Sequence, residues 1–311
     1  MSVKEEFYYP SAAQGARIHA VRYIPDGGTR AVMQISHGMV EYIERYEEFA
    51  EFLCGHGILV TGNDHLGHGG TAADKTDYGY FADRDGNKCV LEDLHTLTKI
   101  TKKLYPDLPY FLLGHSMGSF YARQYLIDYG YELSGAVIMG TGHQPLLLVK
   151  LGKFLAKSLA GSKGWRYRSD FLNNMAFGGY NKKFEPSRTR YDWLSKNNEE
   201  IDRYSADERC TFTFTLNGYY NMFMGIERLH DKYLLSRMPK NLPVFFVSGE
   251  DDPVGDFSKG VKAAYATFID AGMENLKIKL YPGDRHEILK ETDRQTVFED
   301  ILAWTDEVLN D

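Results

Sequence analysis

The stretch Gly114-His115-Ser116-Met117-Gly118 constrains this chain more than any other. It follows the apolar run Tyr110-Phe111-Leu112-Leu113 and precedes a segment of helical character, Phe120 to Tyr129. A serine with glycines two residues away on each side, between a strand and a helix, fits a turn that lifts a nucleophilic hydroxyl above the edge of a buried sheet. Such a turn forces the serine into a strained backbone conformation, and a side chain at Gly114 or Gly118 would collide with neighbouring backbone. The five-residue pattern also arises by chance in unrelated loops. The strand before it and the helix after it are the context that gives it meaning.

Around this turn the chain alternates between short apolar runs and helical periodicity. From Phe7 to Pro25 two strands are expected about a turn at Gln14-Gly15. Ala31-Val32-Met33-Gln34-Ile35-Ser36 reads as a strand buried on both faces, and it ends in His37-Gly38-Met39. Tyr46, Phe49, Ala50, Phe52 and Leu53 fall at helical spacing, Gly55-His56-Gly57 stops that helix, and Ile58-Leu59-Val60-Thr61 begins another strand. Asp64-His65-Leu66-Gly67-His68-Gly69-Gly70 has neither period and reads as a glycine-rich loop. Lys88 to Leu104 is helical and closes at Tyr105-Pro106, and a further buried strand runs from Gly135 to Met139. The rhythm breaks at His143 and resumes at Leu242-Pro243-Val244-Phe245-Phe246-Val247. A helix over Lys259 to Ile269, a strand over Lys277 to Tyr281 and a last helix from Thr296 to Leu309 follow. The expectation is an α/β fold with a mostly parallel sheet and helices on both faces. Its core, residues 1–142 and 241–311, is interrupted by a mainly helical cap over 143–240.

A serine hydroxyl is a poor nucleophile until a base takes its proton, and the base needs a partner that fixes its tautomer. Behind a serine turn of this kind the partners follow in the order acid, then histidine. Of ten histidines only His143, His230 and His286 lie beyond the helix after the turn, and the first two fall in the insertion. His286 follows a late strand, in Tyr281-Pro282-Gly283-Asp284-Arg285-His286-Glu287, and is the expected base; the bland alternative is a surface histidine capping the last helix. The loop Ser248-Gly249-Glu250-Asp251-Asp252-Pro253-Val254 leaves its strand at the carboxyl edge, where such sheets place their ligands. Asp251 and Asp252 compete for the role of acid, and Asp252 is favoured because Pro253 biases it toward an extended backbone. An acidic turn of this kind can also be plain solvated surface; no second ligand cluster accompanies it, so no metal site is expected. Backbone amides at Met117 and Met39 are the expected donors to an oxyanion. His115, beside the serine on a sharp turn, reads as a packing residue.

His37-Gly38-Met39, Asp64-His65-Leu66-Gly67-His68-Gly69, Gly114-His115-Ser116-Met117-Gly118, Gly249-Glu250-Asp251-Asp252-Pro253-Val254 and Tyr281-Pro282-Gly283-x-x-His286-Glu287 occur in that order. Together they resemble the monoacylglycerol lipase and lysophospholipase branch of the α/β-hydrolases, which is related to serine aminopeptidases. The resemblance implies an α/β-hydrolase fold, a cap over an acyl pocket, and cofactor-free ester hydrolysis by Ser116, Asp252 and His286. It also places the acid three residues after Gly249, at Asp252. Gly70-Thr71 stands where relatives often carry a serine, and the cap is less similar than the core.

With 43% hydrophobic and 14% aromatic residues the chain can bury a large core. A net charge of −7 leaves no basic surplus for nucleic acid, so a small acyl ester is the expected partner. Cys54, Cys89 and Cys210 are odd in number and lack C-x-x-C spacing, which supports neither a disulfide framework nor zinc. The start, Met1-Ser2-Val3-Lys4-Glu5-Glu6, is unlike a secretory signal, and no apolar run reaches the length of a membrane span; a cytoplasmic enzyme is expected. Lys150, Lys153 and Lys157 share one face of the first cap helix, which suits either transient contact with a membrane surface or, as the favoured reading, a solvated stripe on a packed helix. The rivals to an ester hydrolase are an aminopeptidase, which needs an acidic patch for a substrate amine, and a catalytically silent binding module.

Overall fold

In the computed structural model, which describes residues 2–311, β1 (Ser2–Pro10) and β2 (Arg17–Pro25) form an antiparallel hairpin whose turn uses Gly15 at φ +80°. β3 (Ala31–Ser36), α1 (Glu47–Gly55) and β4 (Ile58–Asn63) make the first β-α-β unit. α2 (Gly86–Leu104), β5 (Tyr110–His115), α3 (Met117–Tyr129) and β6 (Gly135–Met139) continue it. The strand order is β1-β2-β4-β3-β5-β6, completed by β7 (Val244–Gly249) and β8 (Leu276–Tyr281). β1 and β2 are antiparallel to their neighbours, and β3 through β8 run parallel.

Every residue of β3 to β7 is buried, which is why these strands are near-continuous apolar runs. Their side chains alternate between two layers. Met33, Ile35, Phe111, Leu113, Val137, Phe245 and Val247 pack with Phe49 and Leu53 of α1 and with Val297, Phe298, Ile301 and Trp304 of the C-terminal helix. Val32, Leu112, Ala136, Ile138, Val244 and Phe246 face the opposite layer, with α2, α3 and the helix after β7.

Between β6 and β7 the chain forms five helices, α4 (Leu146–Lys163), α5 (Asp170–Phe177), α6 (Asn198–Ala206), α7 (Leu216–Arg228) and α8 (Lys232–Leu235). Four of them begin on a side chain that accepts from the first turn's amides, namely Ser169, Asn197, Thr215 and Asp231. α4 packs on α7 along the buried small residues Val149, Gly152, Ala156 and Ala160, and Lys153 pairs with Glu227. The chain then closes with α9 (Lys259–Asp270) and α10 (Arg294–Asn310).

The segment ahead of α6 is stitched to the loop after β8. Glu287 N donates to Leu194 O at 2.7 Å, and Arg285 Nη1 donates to Asp192 O and Ser195 O. The buried Glu291 accepts from Ser195 Oγ (2.7 Å), Lys196 N (2.9 Å) and Arg285 N (2.8 Å), and Lys196 pairs with Asp284.

Some boundaries differ from the sequence expectation. β5 runs on to His115 because β3 and β6 flank it that far, Gly114 opposite Ser36 and His115 opposite Met139. α3 starts three residues earlier than expected, since the chain reverses at Ser116 alone. Tyr46 belongs to a 3-10 turn over Ile43–Tyr46, and α1 begins after it.

Candidate active site

Ser116 sits between β5 and α3 with φ 53° and ψ −120°, and its amide donates to Met139 O at 3.0 Å. A non-glycine residue with positive φ at this position is backbone strain held by its surroundings. The turn can be this short because α3 starts against the end of β3. A side chain at Gly118 would overlap the carbonyl oxygens of Ser36 and His37.

Asp252 is fully buried in the loop after β7. Its Oδ2 lies 2.9 Å from His286 Nδ1 and also accepts from Ser248 Oγ, while Oδ1 accepts from Val254 N at 2.8 Å. Asp251 points the other way and pairs with Lys183. The two loops that carry the acid and the histidine are zipped by backbone bonds, Glu250 N to Tyr281 O and Asp251 N to Asp284 O, both 2.9 Å. Gly249 permits that approach, since a side chain there would overlap the carbonyls of Asp284 and Arg285.

Ser116 and His286 line one cavity of about 790 Å³. With Nδ1 facing Asp252, the ring's Nε2 is left to exchange a proton. Among the described residues no hydrogen bond joins the Ser116 hydroxyl to this imidazole; such contacts commonly tighten only with substrate bound. Met39 and Met117 border the same cavity, and Met117 is the first residue of α3, so its amide is among the helix-start donors that have no partner within the helix. Phe120, Leu148, Leu151, Phe212, Phe223 and Ile226 supply much of the apolar wall. Among the described residues no group of three or more His, Cys, Asp or Glu side chains is arranged to hold a metal ion.

The sequence matches the family described as serine aminopeptidase, S33, over residues 27–293. The chain belongs to this S33 family. It is 28% identical to the monoglyceride lipase of Mus musculus over 299 residues, 94% of this chain and 88% of that one. It is 27% identical to the monoacylglycerol lipase of Mycolicibacterium smegmatis over 305 residues, 93% of each. A thermostable carboxyl esterase from Bacillus coagulans, solved in complex with glycerol, superposes with a TM-score of 0.92 at 30% identity, covering 99% of this chain and 100% of that one. The S33 chain is thus a monoacylglycerol lipase-like α/β-hydrolase.

On one wall of the cavity this S33 chain carries a buried ionic chain that its sequence did not reveal. Glu41 Oε1 accepts from Gly38 N and Tyr46 OH (2.9 Å) and lies 3.0 Å from His115 Nδ1; Oε2 accepts from Arg45 Nη1 at 2.9 Å. The Arg45 fork also grips both oxygens of Glu287 at 2.7 Å. Burial opposes charge on His115, yet the Glu41 hydrogen bond and its charge outweigh it and raise the pKa. Burial likewise opposes charge on Glu41, and His115 and Arg45 hold it well below the usual carboxylate range. His115 is therefore more than packing: its Nε2 reaches the carbonyl of His286 at 3.3 Å, and the two rings are 4.8 Å apart.

His37, His65 and His68 form a second buried group, all with lowered pKa values, and burial is the largest cause in each. His37 Nε2 accepts from His65 N at 2.9 Å, which ties the loop after β3 to the loop after β4.

Proposed function

We propose that this chain hydrolyses carboxylic esters of single-chain lipids, of the monoacylglycerol or lysophospholipid type, through an acyl-enzyme on Ser116. The observation that carries this is the Asp252–His286 pair beside the strained Ser116 in one largely apolar cavity. Ser116 Oγ attacks the ester carbonyl while His286 Nε2 takes its proton. The tetrahedral oxyanion lies against the amides of Met39 and Met117, donors of a kind whose removal costs about 3–4 kcal/mol. The intermediate collapses, the C–O bond to the alcohol breaks, and His286 returns the proton to the leaving oxygen. Water, deprotonated by His286 Nε2, then attacks the acyl ester, the bond to Ser116 Oγ breaks, and His286 returns the proton to that oxygen, freeing the carboxylic acid and the serine hydroxyl. Asp252 fixes the tautomer and the orientation of the imidazole.

The names of the relatives support the ester. A peptidase of the aminopeptidase type would need a carboxylate for the substrate amine; of the three that line the cavity, Glu41 and Glu287 near His286 are engaged by Arg45, Tyr46 and Gly38, which leaves only the exposed Asp170 in the first turn of α5. A silent binding module has no use for the strained serine and its aligned pair.

The helical insertion over 143–240 acts in this reading as a cap. Leu147 is 81% exposed, Phe154 66% and Phe171 63%, on the two helices α4 and α5 that help to wall the cavity, with Lys150 and Lys157 exposed beside them. An apolar stripe edged by lysines suits transient contact with a bilayer surface, from which a lipid ester can enter.

Labelling by a fluorophosphonate probe, followed by a panel of p-nitrophenyl esters, monoacylglycerols, lysophospholipids and aminoacyl anilides, tests the reading. Ser116→Ala is expected to abolish both labelling and ester turnover with the fold intact. Near wild-type turnover in that variant would sink the triad.

A further inference from the structure

Val40 is a β-branched residue in the left-handed region, at φ +58°, directly after Met39. Valine rarely adopts this conformation, so something outside the residue must hold it there. On the chain-forward side the hold is the ionic chain: Glu41 is fixed by His115, Tyr46 and Arg45 and reaches back to the Gly38 amide. On the other side the hold comes from the insertion. The Tyr204 hydroxyl, on α6, donates to Val40 O at 3.1 Å. Tyr204 is itself braced, with the Arg45 guanidinium 4.9 Å from its ring centre and Tyr191 packed edge-on at 5.0 Å. Two residues on, Tyr42 OH donates to Asp207 at 2.8 Å, so the insertion grips the same loop twice.

We propose that Tyr204 is a positioning residue for ester hydrolysis: by holding the Val40 carbonyl it keeps Val40 left-handed and the preceding Met39 amide aimed at the oxyanion. The inference rests on the reading of Met39 as an oxyanion donor. Because Glu41 is anchored by three partners, relaxation of Val40 toward the right-handed region swings the Met39 side of the loop, the side that faces Ser116. The insertion thereby has a part in the chemistry as well as in substrate entry, since a loop held against strain is released when α6 moves away.

The experiment is a cycle on a soluble short ester, with thermal melts to check folding. Tyr204→Phe keeps the ring between Arg45 and Tyr191 and removes only the hydroxyl. It is expected to lower kcat roughly tenfold with KM nearly unchanged, a part of the hundredfold or more that outright loss of an oxyanion donor costs. In a Val40→Gly background the same change is expected to cost less than about twofold, because glycine takes positive φ without strain. Val40→Asn, which also tolerates the left-handed region, replaces the glycine variant if that one does not fold. The inference is overturned if Tyr204→Phe keeps wild-type kcat, if its effect lies in KM alone, or if it costs as much in the Val40→Gly or Val40→Asn background as it does beside the native valine. Ser116→Ala, assayed in parallel, separates the two levels. An inactive Ser116→Ala beside an unaffected Tyr204→Phe removes this inference alone, and an active Ser116→Ala removes the serine mechanism with it.

Discussion

Asp252 turns inward to His286, Oδ2 to Nδ1 at 2.9 Å, while the adjacent Asp251 turns outward to Lys183. Two neighbouring carboxylates thus have opposite fates because the chain turns between them: Asp251 lies inside the turn that Asp252 N closes on Gly249 O at 3.3 Å, and Asp252 leaves that turn facing the histidine loop. Asp252→Asn is expected to lower kcat on a short ester by up to about ten-thousand-fold through loss of the correct tautomer, whereas Asp251→Asn stays within a few-fold of wild type. Steady-state kinetics of the two folded variants decide it, and a collapse confined to Asp251→Asn would reverse the assignment.

Two glycines are expected to respond to alanine with opposite signs. At Gly118 a methyl group meets the carbonyls of Ser36 and His37, so Gly118→Ala costs several °C in melting temperature or prevents folding. Gly161 lies exposed in α4 with open space around it, and Gly161→Ala is expected to stabilise by roughly 0.5–1 kcal/mol. Denaturant or thermal unfolding of both variants checks the pair; a neutral Gly118→Ala would mean that the turn is looser than described.

Leu148 borders the cavity yet is 59% exposed, so a larger side chain there narrows the acyl space without overpacking the core. Leu148→Trp is expected to lower kcat/KM for a long-chain monoacylglycerol at least tenfold more than for an acetate ester, on the scale of the few kcal/mol that several buried methylenes contribute. Equal losses on both substrates would count against a selective pocket.

A fourth expectation concerns pH. His19 is buried, with Nδ1 2.7 Å from Asp64 and Nε2 2.8 Å from Glu6. Burial opposes its charge, but the bonds to Asp64 and Glu6 prevail and raise its pKa. Burial also opposes charge on Asp64, and His19 and His37 nonetheless lower its pKa. The histidine's part of the stability is complete below its unfolded value of about 6.5 and is lost as pH rises through the folded one. The carboxylate's part is complete above about 3.9 and is lost as pH falls through its lowered value. The melting advantage of wild type over His19→Gln is therefore expected to be larger near pH 5 than near pH 9. An advantage that grows toward pH 9 would show that the ring is held neutral.

The features legible in the sequence were those with local causes. The serine turn needs glycine for close backbone approach, and the central strands announce themselves because both faces are buried. Between β6 and β7 the sequence shows a mainly helical insertion and places its first helix, whereas the later ones are not delimited by it, although their capping residues, such as Ser169 and Thr215, are there to be read. The ionic chain was illegible for a different reason. Arg45 and Glu287 are 242 residues apart, and nothing in either neighbourhood signals the other until the sheet brings their loops together. His115 reads as packing in the sequence because nothing near it in the chain shows the carboxylate it meets. The left-handed Val40 runs against residue preference, which is where a reading from propensities must fail.

The stitching of the insertion to the histidine loop bears on how such enzymes can be recombined. Glu291 and Asp284 are carboxylates of the core, almost without solvent contact, whose partners Ser195 and Lys196 come from the insertion. A chimaera that received another hydrolase's insertion would inherit both acids without these partners, one on either side of His286 along the chain, with Glu291 left only the Arg285 amide. Grafting a new specificity onto this core therefore requires carrying Asp192 to Asn197 along with the core, as a collar that belongs to the recipient and not to the donor.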